Sequence, residues 1–153
     1  MGSVALCLLL ALGLGALAAS REKCVLSGAW RNDLGSNMTI SAMDATGGFS
    51  GLYLTAVSAT NATILESSLK GFQHMGQAQP TFGFTVTWNF SDSTTVFVGQ
   101  CFVLPGGEEV LKIMWLLREL VDSPSNDWKA TRVGTNTFIR QRVGDSTRHD
   151  GAW

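Results

Sequence analysis

Residues 81–101 read Thr81-Phe-Gly-Phe-Thr-Val-Thr-Trp88-Asn-Phe90-Ser91-Asp92-Ser93-Thr-Thr95-Val-Phe97-Val-Gly-Gln-Cys101. Thr, Val, Phe and Trp fit a pleated strand, whereas Ser91-Asp92-Ser93 supplies turn chemistry. The stretch therefore predicts two strands, 81–90 and 94–104, folded back on one another. The same pattern repeats outward in both directions. Runs at 25–33, 38–43, 49–55 and 63–71 precede it, and runs at 108–118 and 128–143 follow. Asp44-Ala-Thr-Gly47-Gly48, the segment 76–80 and Pro105-Gly106-Gly107 mark the other turns. No 3.6-residue apolar period is sustained beyond residue 21. A helical turn over 116–121, ended by Pro124, is the local alternative. Eight short runs at near-regular spacing predict an all-β, antiparallel up-and-down meander. Closing it into an eight-stranded β-barrel removes its exposed edges.

The sequence has 153 residues, of which 45% are hydrophobic, with 11 Lys+Arg against 12 Asp+Glu and a formal net charge of -1. That length suits one domain. The charge balance gives no electrostatic basis for binding nucleic acid or an anionic membrane, and the hydrophobic content excludes a disordered chain. Residues 4–19 are apolar apart from glycines, and small residues follow at Ala16, Ala18, Ala19 and Ser20. This reads as a secretory signal peptide over about 1–20, because the stretch falls short of the ~17 residues a membrane span needs. Gly13-x-Gly15-x-x-Ala18 mimics a dinucleotide fingerprint, but no strand precedes it. A barrel domain over 22–143 and a loose polar tail over 144–153 complete the chain.

Secretion gives meaning to the cysteines and sequons. Cys7 leaves with the signal, and Cys24 and Cys101 remain to form one disulfide. Asn37, Asn61 and Asn89 each begin an acceptor sequon and are candidate glycosylation sites. His74 and His149 fall in a loop and in the tail, and read as solvated.

In a small barrel alternate residues face the interior. Trp30 and Asn32 share a face, as do Tyr53 and Thr55, Trp88 and Phe90, Thr95 and Phe97, and Trp115 and Leu117. Each pair joins a bulky apolar group to a second group of defined shape or polarity. Two readings stay open from the residues alone. Either the interior is a pocket with a few convergent polar groups, or the aromatics fill the core and the hydroxyls face solvent.

Several blocks carry a resemblance. They are Gly28-Ala-Trp30-Arg-Asn32-Asp-Leu34-Gly-Ser36-Asn37-Met-Thr39, Gly51-Leu-Tyr53-Leu-Thr55-Ala-Val-Ser58-Ala59-Thr60 and Gln79-Pro-Thr-Phe-Gly-Phe-Thr-Val-Thr-Trp88. Phe90 to Cys101, Trp115-Leu-Leu-Arg118 and Asp127-Trp128-Lys-Ala-Thr-Arg-Val-Gly-Thr-Asn136 continue it. Together they resemble the avidin family of secreted biotin-binding proteins, in order, from Cys24 to about Arg142.

The resemblance implies biotin as ligand, with no cofactor, no metal and no catalysis. It assigns the ureido oxygen to Asn32, Ser36 and Tyr53, the ureido N–H groups to Thr55 and Asn136, and the sulfur to Thr95. Trp88, Phe90, Phe97 and Trp115 wall the rings, with Leu34 and Leu117 beside them. The valerate carboxylate goes to Ser91, Ser93 and the Ser58-Ala59-Thr60 loop. Trp128 is lent by a neighbouring subunit of a homotetramer. Ser58 stands where family members carry Thr. Thr135 stands where they use an aliphatic residue, beside Met114 and Val133, at a subunit contact. A lipocalin-like carrier of another apolar ligand is the alternative, since Gly28-x-Trp30 is shared with that class. A hydrolase is disfavoured by the lack of Gly-x-Ser-x-Gly and of an inward carboxylate pair.

Overall fold

A computed structural model describes residues 23–58 and 61–142. The signal segment at 1–20 with Cys7, the tail at 144–153 with His149, and the loop residues Ala59 and Thr60 lie outside the described residues. Eight strands follow one another: β1 Gly28–Asn32, β2 Asn37–Ile40, β3 Gly48–Leu54, β4 Ser67–Gln73, β5 Thr81–Thr87, β6 Ser93–Val103, β7 Glu109–Glu119 and β8 Thr131–Arg140. Each pairs antiparallel with the next, and β8 pairs with β1 through Trp30↔Arg140, Arg31↔Ile139 and Asn32↔Phe138. The expected up-and-down barrel is the observed fold.

Two expectations about the β7–β8 connection need correction. No helical turn occupies 116–121, because β7 runs on to Glu119. A 3₁₀ turn forms instead at Pro124–Lys129. Pro124 starts this turn rather than ending one: its fixed φ suits a first helical position, where its missing N–H is no loss. Trp128 therefore sits on that turn, and the last strand begins only at Thr131. Similarly β5 stops at Thr87, so Trp88 and Phe90 stand on the hairpin connection that Trp88 N–H closes by donating to Ser93 O at 3.2 Å.

The strand ladders fix two different ends. At one, Phe49, Phe82, Phe84, Leu111 and Phe138 fill the interior, each under a tenth exposed. Phe84 stacks on Phe97 with centroids 4.6 Å apart. Cys24 and Cys101 form the expected disulfide there, with Cα atoms 5.8 Å apart, and the leading segment plugs the base. Trp30 Nε1 donates to Leu26 O at 2.8 Å, and the Arg140 guanidinium lies 4.2 Å over the Trp30 ring. Glu109 accepts from Val25 N–H and pairs with Arg140. A half-buried cation shared between a carboxylate and an aromatic face holds this end shut. At the other end the inward side chains turn polar.

Candidate functional site

That polar end opens into a cavity of about 640 Å³. Both readings of the aromatic rows therefore apply, each to half of the barrel: Phe82 and Phe84 pack the core, while Trp88, Phe90, Phe97 and Trp115 line the cavity. Of the residues expected at the site, Asn32, Leu34, Ser36, Tyr53, Thr55, Ser58, Ser91, Ser93, Thr95, Leu117 and Asn136 line it as well. Trp128 does not: it is 82% exposed.

The polar groups are held by bonds that decide which atoms remain for a guest. Asn32 Oδ1 accepts the N–H groups of Leu34 at 3.0 Å and Ser36 at 2.8 Å. An atom receiving two N–H donors must be the oxygen, so the amide NH₂ is the end turned elsewhere. The tight loop that allows this passes through Gly35 at φ 89, where a side chain would be strained. Ser36 Oγ accepts Ala56 N–H at 3.0 Å, which leaves its hydroxyl proton to donate. Tyr53, 3% exposed, places its hydroxyl against the same two side chains. Burial pushes the Tyr53 pKa well above the ordinary tyrosine value. Hydrogen bonding with Ser36 opposes the shift, the nearby Asp33 charge adds to it, and Asn32 opposes it more weakly. Its phenol is thus a neutral donor across the physiological range.

Opposite these donors lie acceptors. Asn136 Nδ2 donates to Asp33 Oδ1 at 3.0 Å, which turns Asn136 Oδ1 the other way. Thr55 Oγ1 donates to Val57 O at 2.8 Å, so a lone pair remains on the hydroxyl. Trp88 Nε1 donates to Thr95 Oγ1 at 2.8 Å, leaving the Thr95 hydroxyl proton for a further acceptor. The Tyr53 ring meets Trp88 edge-on at 5.3 Å and stacks on Phe97 at 5.4 Å. Trp115 lies flat against the wall only because residue 134, its partner across β7 and β8, is glycine. A Cβ there would fall 2.3 Å from the indole Cζ2. At the rim, Ser91 Oγ and Ser93 Oγ are 2.6 Å apart.

The structure adds residues that the sequence did not single out. Val57, Asp92, Glu119, Leu120 and Arg132 also line the cavity, and Glu119 pairs with Arg132. Glu119 has the parity of Trp115 and Leu117, and Arg132 that of Asn136, so alternation alone could have found both. Asp33 acts through Asn136 and has no comparable signal. Among the described residues, Cys24, Cys101 and Glu109 bring their ligand atoms within 4.8 Å, but both sulfurs are tied up in the disulfide and offer no thiolate.

Comparison with known proteins agrees with this architecture. The sequence model of the Avidin family matches residues 20–141. Avidin from Gallus gallus is 58% identical over 140 residues, covering 90% of this chain and 92% of that protein. Avidin-related protein 1 from the same organism is 59% identical over 138 residues, with the same coverage. A solved structure described as a biotin binding protein from chicken superposes with a TM-score of 0.75 at 66% identity, covering 78% of this chain and 98% of that one. Xenavidin superposes with a TM-score of 0.76 at 52% identity, covering 78% of this chain and all of that one. With a closed eight-stranded barrel, a polar-ended cavity and a family match across nearly all of its described length, this chain belongs to the avidin family.

Proposed function

We propose that the protein is a secreted, non-enzymatic biotin-binding protein that sequesters biotin in the open end of its barrel. The observation that carries this reading is the sense of the hydrogen bonds. Asn32 Nδ2, Ser36 Oγ–H and Tyr53 O–H are donors in one cluster, while Asn136 Oδ1 and Thr55 Oγ1 are acceptors. A cyclic urea presents the complement: one carbonyl oxygen able to accept several bonds, between two N–H donors. Thr95 then faces the ring sulfur, and Trp88, Phe90, Phe97, Trp115, Leu34 and Leu117 enclose the bicycle. Ser91, Ser93 and the Ser58-Ala59-Thr60 loop receive the carboxylate tail.

Three donors converging on one oxygen stabilise its charge-separated form, the electrostatics of an oxyanion hole without a reaction. A guest that leaves any member of this set unpaired loses about 1–3 kcal/mol per group, which makes the set selective. The polar atoms are already oriented, Asn32, Ser36 and Thr55 by backbone groups and Asn136 and Thr95 by the Asp33 and Trp88 side chains, so little ordering entropy is lost on binding. An eight-stranded barrel has an interior just wide enough to hold one small ligand, so the guest is enclosed on nearly every side. Family membership favours biotin over a lipocalin-like carrier and favours a binding protein over an enzyme.

Assembly extends the reading. An indole 82% exposed on the turn beside the mouth suits a residue lent to the pocket of a second copy. Val98, Met114 and Val133 point outward, each more than three-fifths exposed, beside a concavity over Gly71 and Gly83. A patch of that kind fits burial against further copies in a homotetramer. Thr135, opposite Met114, puts a hydroxyl into that contact and weakens it. The disulfide suits an oxidising compartment, and Asn37, Asn61 and Asn89 are exposed as glycan acceptors must be.

Melting the biotin-free protein with and without biotin tests the reading. Each tenfold excess of ligand over its Kd adds about 1.4 kcal/mol, so tight binding raises Tm by tens of degrees. An unchanged Tm refutes it. Light scattering at micromolar protein tests the assembly, for which a monomer mass is the refuting result.

A further inference from the structure

Three inward rows end at the mouth. On β6 the row is Phe97, Thr95, Ser93; on β7 it is Trp115, Leu117, Glu119; on β8 it is Asn136, Gly134, Arg132. Ser93 stands directly opposite Glu119 in the β6–β7 ladder, and Leu117 stands opposite Arg132 in the β7–β8 ladder. Directly opposed residues hold their Cβ atoms about 4.5–5.5 Å apart. Glu119 therefore rises from the strand position beside Ser93, whose hydroxyl lies 2.6 Å from that of Ser91. It engages the Arg132 guanidinium, and both residues line the cavity. Asp92 lines the same rim.

We infer that Glu119 is a specificity-determining residue that relaxes the pocket's preference for a ligand with a free carboxylate over one ending in a neutral amide, such as a biotinylated lysine side chain. The inference rests on the biotin reading and concerns the tail rather than the ring. A tail carboxylate at Ser91 and Ser93 meets like charge from Glu119 and Asp92. The guanidinium of Arg132, which could offset this at the rim, is already engaged by Glu119. A neutral amide tail has no net charge to be repelled and keeps its hydrogen bonds to the two serines. Coulomb forces at a half-exposed rim are modest and screened by salt, so the effect is a bias between ligands rather than a switch. It acts where a biotin carrier meets two natural forms of its ligand, the free acid and the protein-derived amide.

The test measures dissociation of biotin and of biotinamide from the full-length protein by competition with radiolabelled biotin, at low and at high salt. In E119Q, Arg132 is released to the tail. Biotin is expected to leave three- to tenfold more slowly relative to biotinamide, and added salt should erase the gain. In R132Q, Glu119 is left unopposed, and the ratio is expected to move the other way. Ligand-free melting curves of both variants confirm folding. A variant that fails to fold is replaced by E119S, which also removes the charge and must give the same sign. If wild type retains both ligands but E119Q changes both rates equally, or neither, the role of Glu119 is overturned and the biotin reading stands. If wild type retains neither ligand, both fall together.

Discussion

The sequence contains a single tyrosine, and it lies at the floor of the cavity. Tyr53 is 3% exposed, with the Trp88, Phe97 and Phe138 rings at 5.3, 5.4 and 6.1 Å. Burial raises its pKa, opposed by the Ser36 bond and reinforced by the Asp33 charge. In the unfolded chain the phenol ionises near its ordinary value of ~10. In the folded protein it keeps its proton well beyond that. The folded state therefore binds more protons above pH ~10, and stability falls there by up to about 1.4 kcal/mol per pH unit. Below pH ~10 the contribution is complete. Phenolate absorbance near 295 nm reads this one side chain directly. The expected result is no phenolate signal at pH 11 while the near-ultraviolet dichroism is native, then its appearance in one step with unfolding. Denaturant melts at pH 9, 10 and 11 should show a steeper loss of stability for wild type than for Tyr53→Phe. A smooth titration near pH 10 in the folded protein would refute the reasoning, because it would mean water reaches the hydroxyl.

Three other perturbations probe the geometry from different sides. Gly134→Ala puts a methyl 2.3 Å from the Trp115 ring, so the indole must move and biotin should dissociate at least tenfold faster; wild-type kinetics would show that the wall is not so tightly set. Replacing Cys24 and Cys101 together by Ser opens a closure between residues 77 apart, worth about 4.5 kcal/mol in the chain-entropy model. Denaturant midpoints should fall accordingly, and an unchanged midpoint would mean that the base is held by Arg140, Glu109 and Trp30 alone. Asp33→Ala removes the acceptor that orients Asn136. Loss of one such bond costs about 1 kcal/mol of stability, which lowers ligand-free Tm by several degrees, and the released Asn136 amide should weaken biotin binding by roughly fivefold in calorimetry or competition. A lowered Tm with unchanged biotin affinity would show that Asp33 closes the seam without orienting Asn136 for the ligand.

Strand identity was legible because residues of β5, and of β6 over Thr95–Val98, alternate between core and surface. Strand ends were less so. Trp128 reads as strand by residue type, yet the connection after Glu119 must turn back across the mouth, and Pro124 sets a helical φ at its start. Tyr53, Ser93, Thr95, Phe97 and Trp115 were legible by parity, since each falls on the inward row of its strand, whereas Ser36, Thr55, Trp88, Phe90 and Ser91 stand on the connections and were legible through the resemblance. Glu119 and Arg132 obey the same parity but carry charge, which ordinarily favours an outward position. At the rim of an open barrel that rule fails, because inward side chains there reach water and each other. Asp33 was hidden for another reason: its outward position in the chain says nothing of the fold-back that brings it to Asn136, 103 residues away.

The seam of the barrel ties these observations together. The β1–β8 ladder pairs three residues, against eleven for β6–β7, so closure is least supported by backbone bonds where the first and last strands meet. Contacts beyond the ladder reinforce it at both ends. At the base, Arg140 of β8 reaches Ser27 O at 2.9 Å and covers Trp30 of β1. At the mouth, Asp33 N–H donates to Thr137 O at 3.2 Å, and its carboxylate accepts from Asn136. Under the biotin reading, Asn32 on β1 and Asn136 on β8 hold the urea from opposite sides of the seam. A ligand bonded to both closes the barrel where its own ladder is shortest, so occupancy of the pocket and persistence of the fold draw on the same contacts.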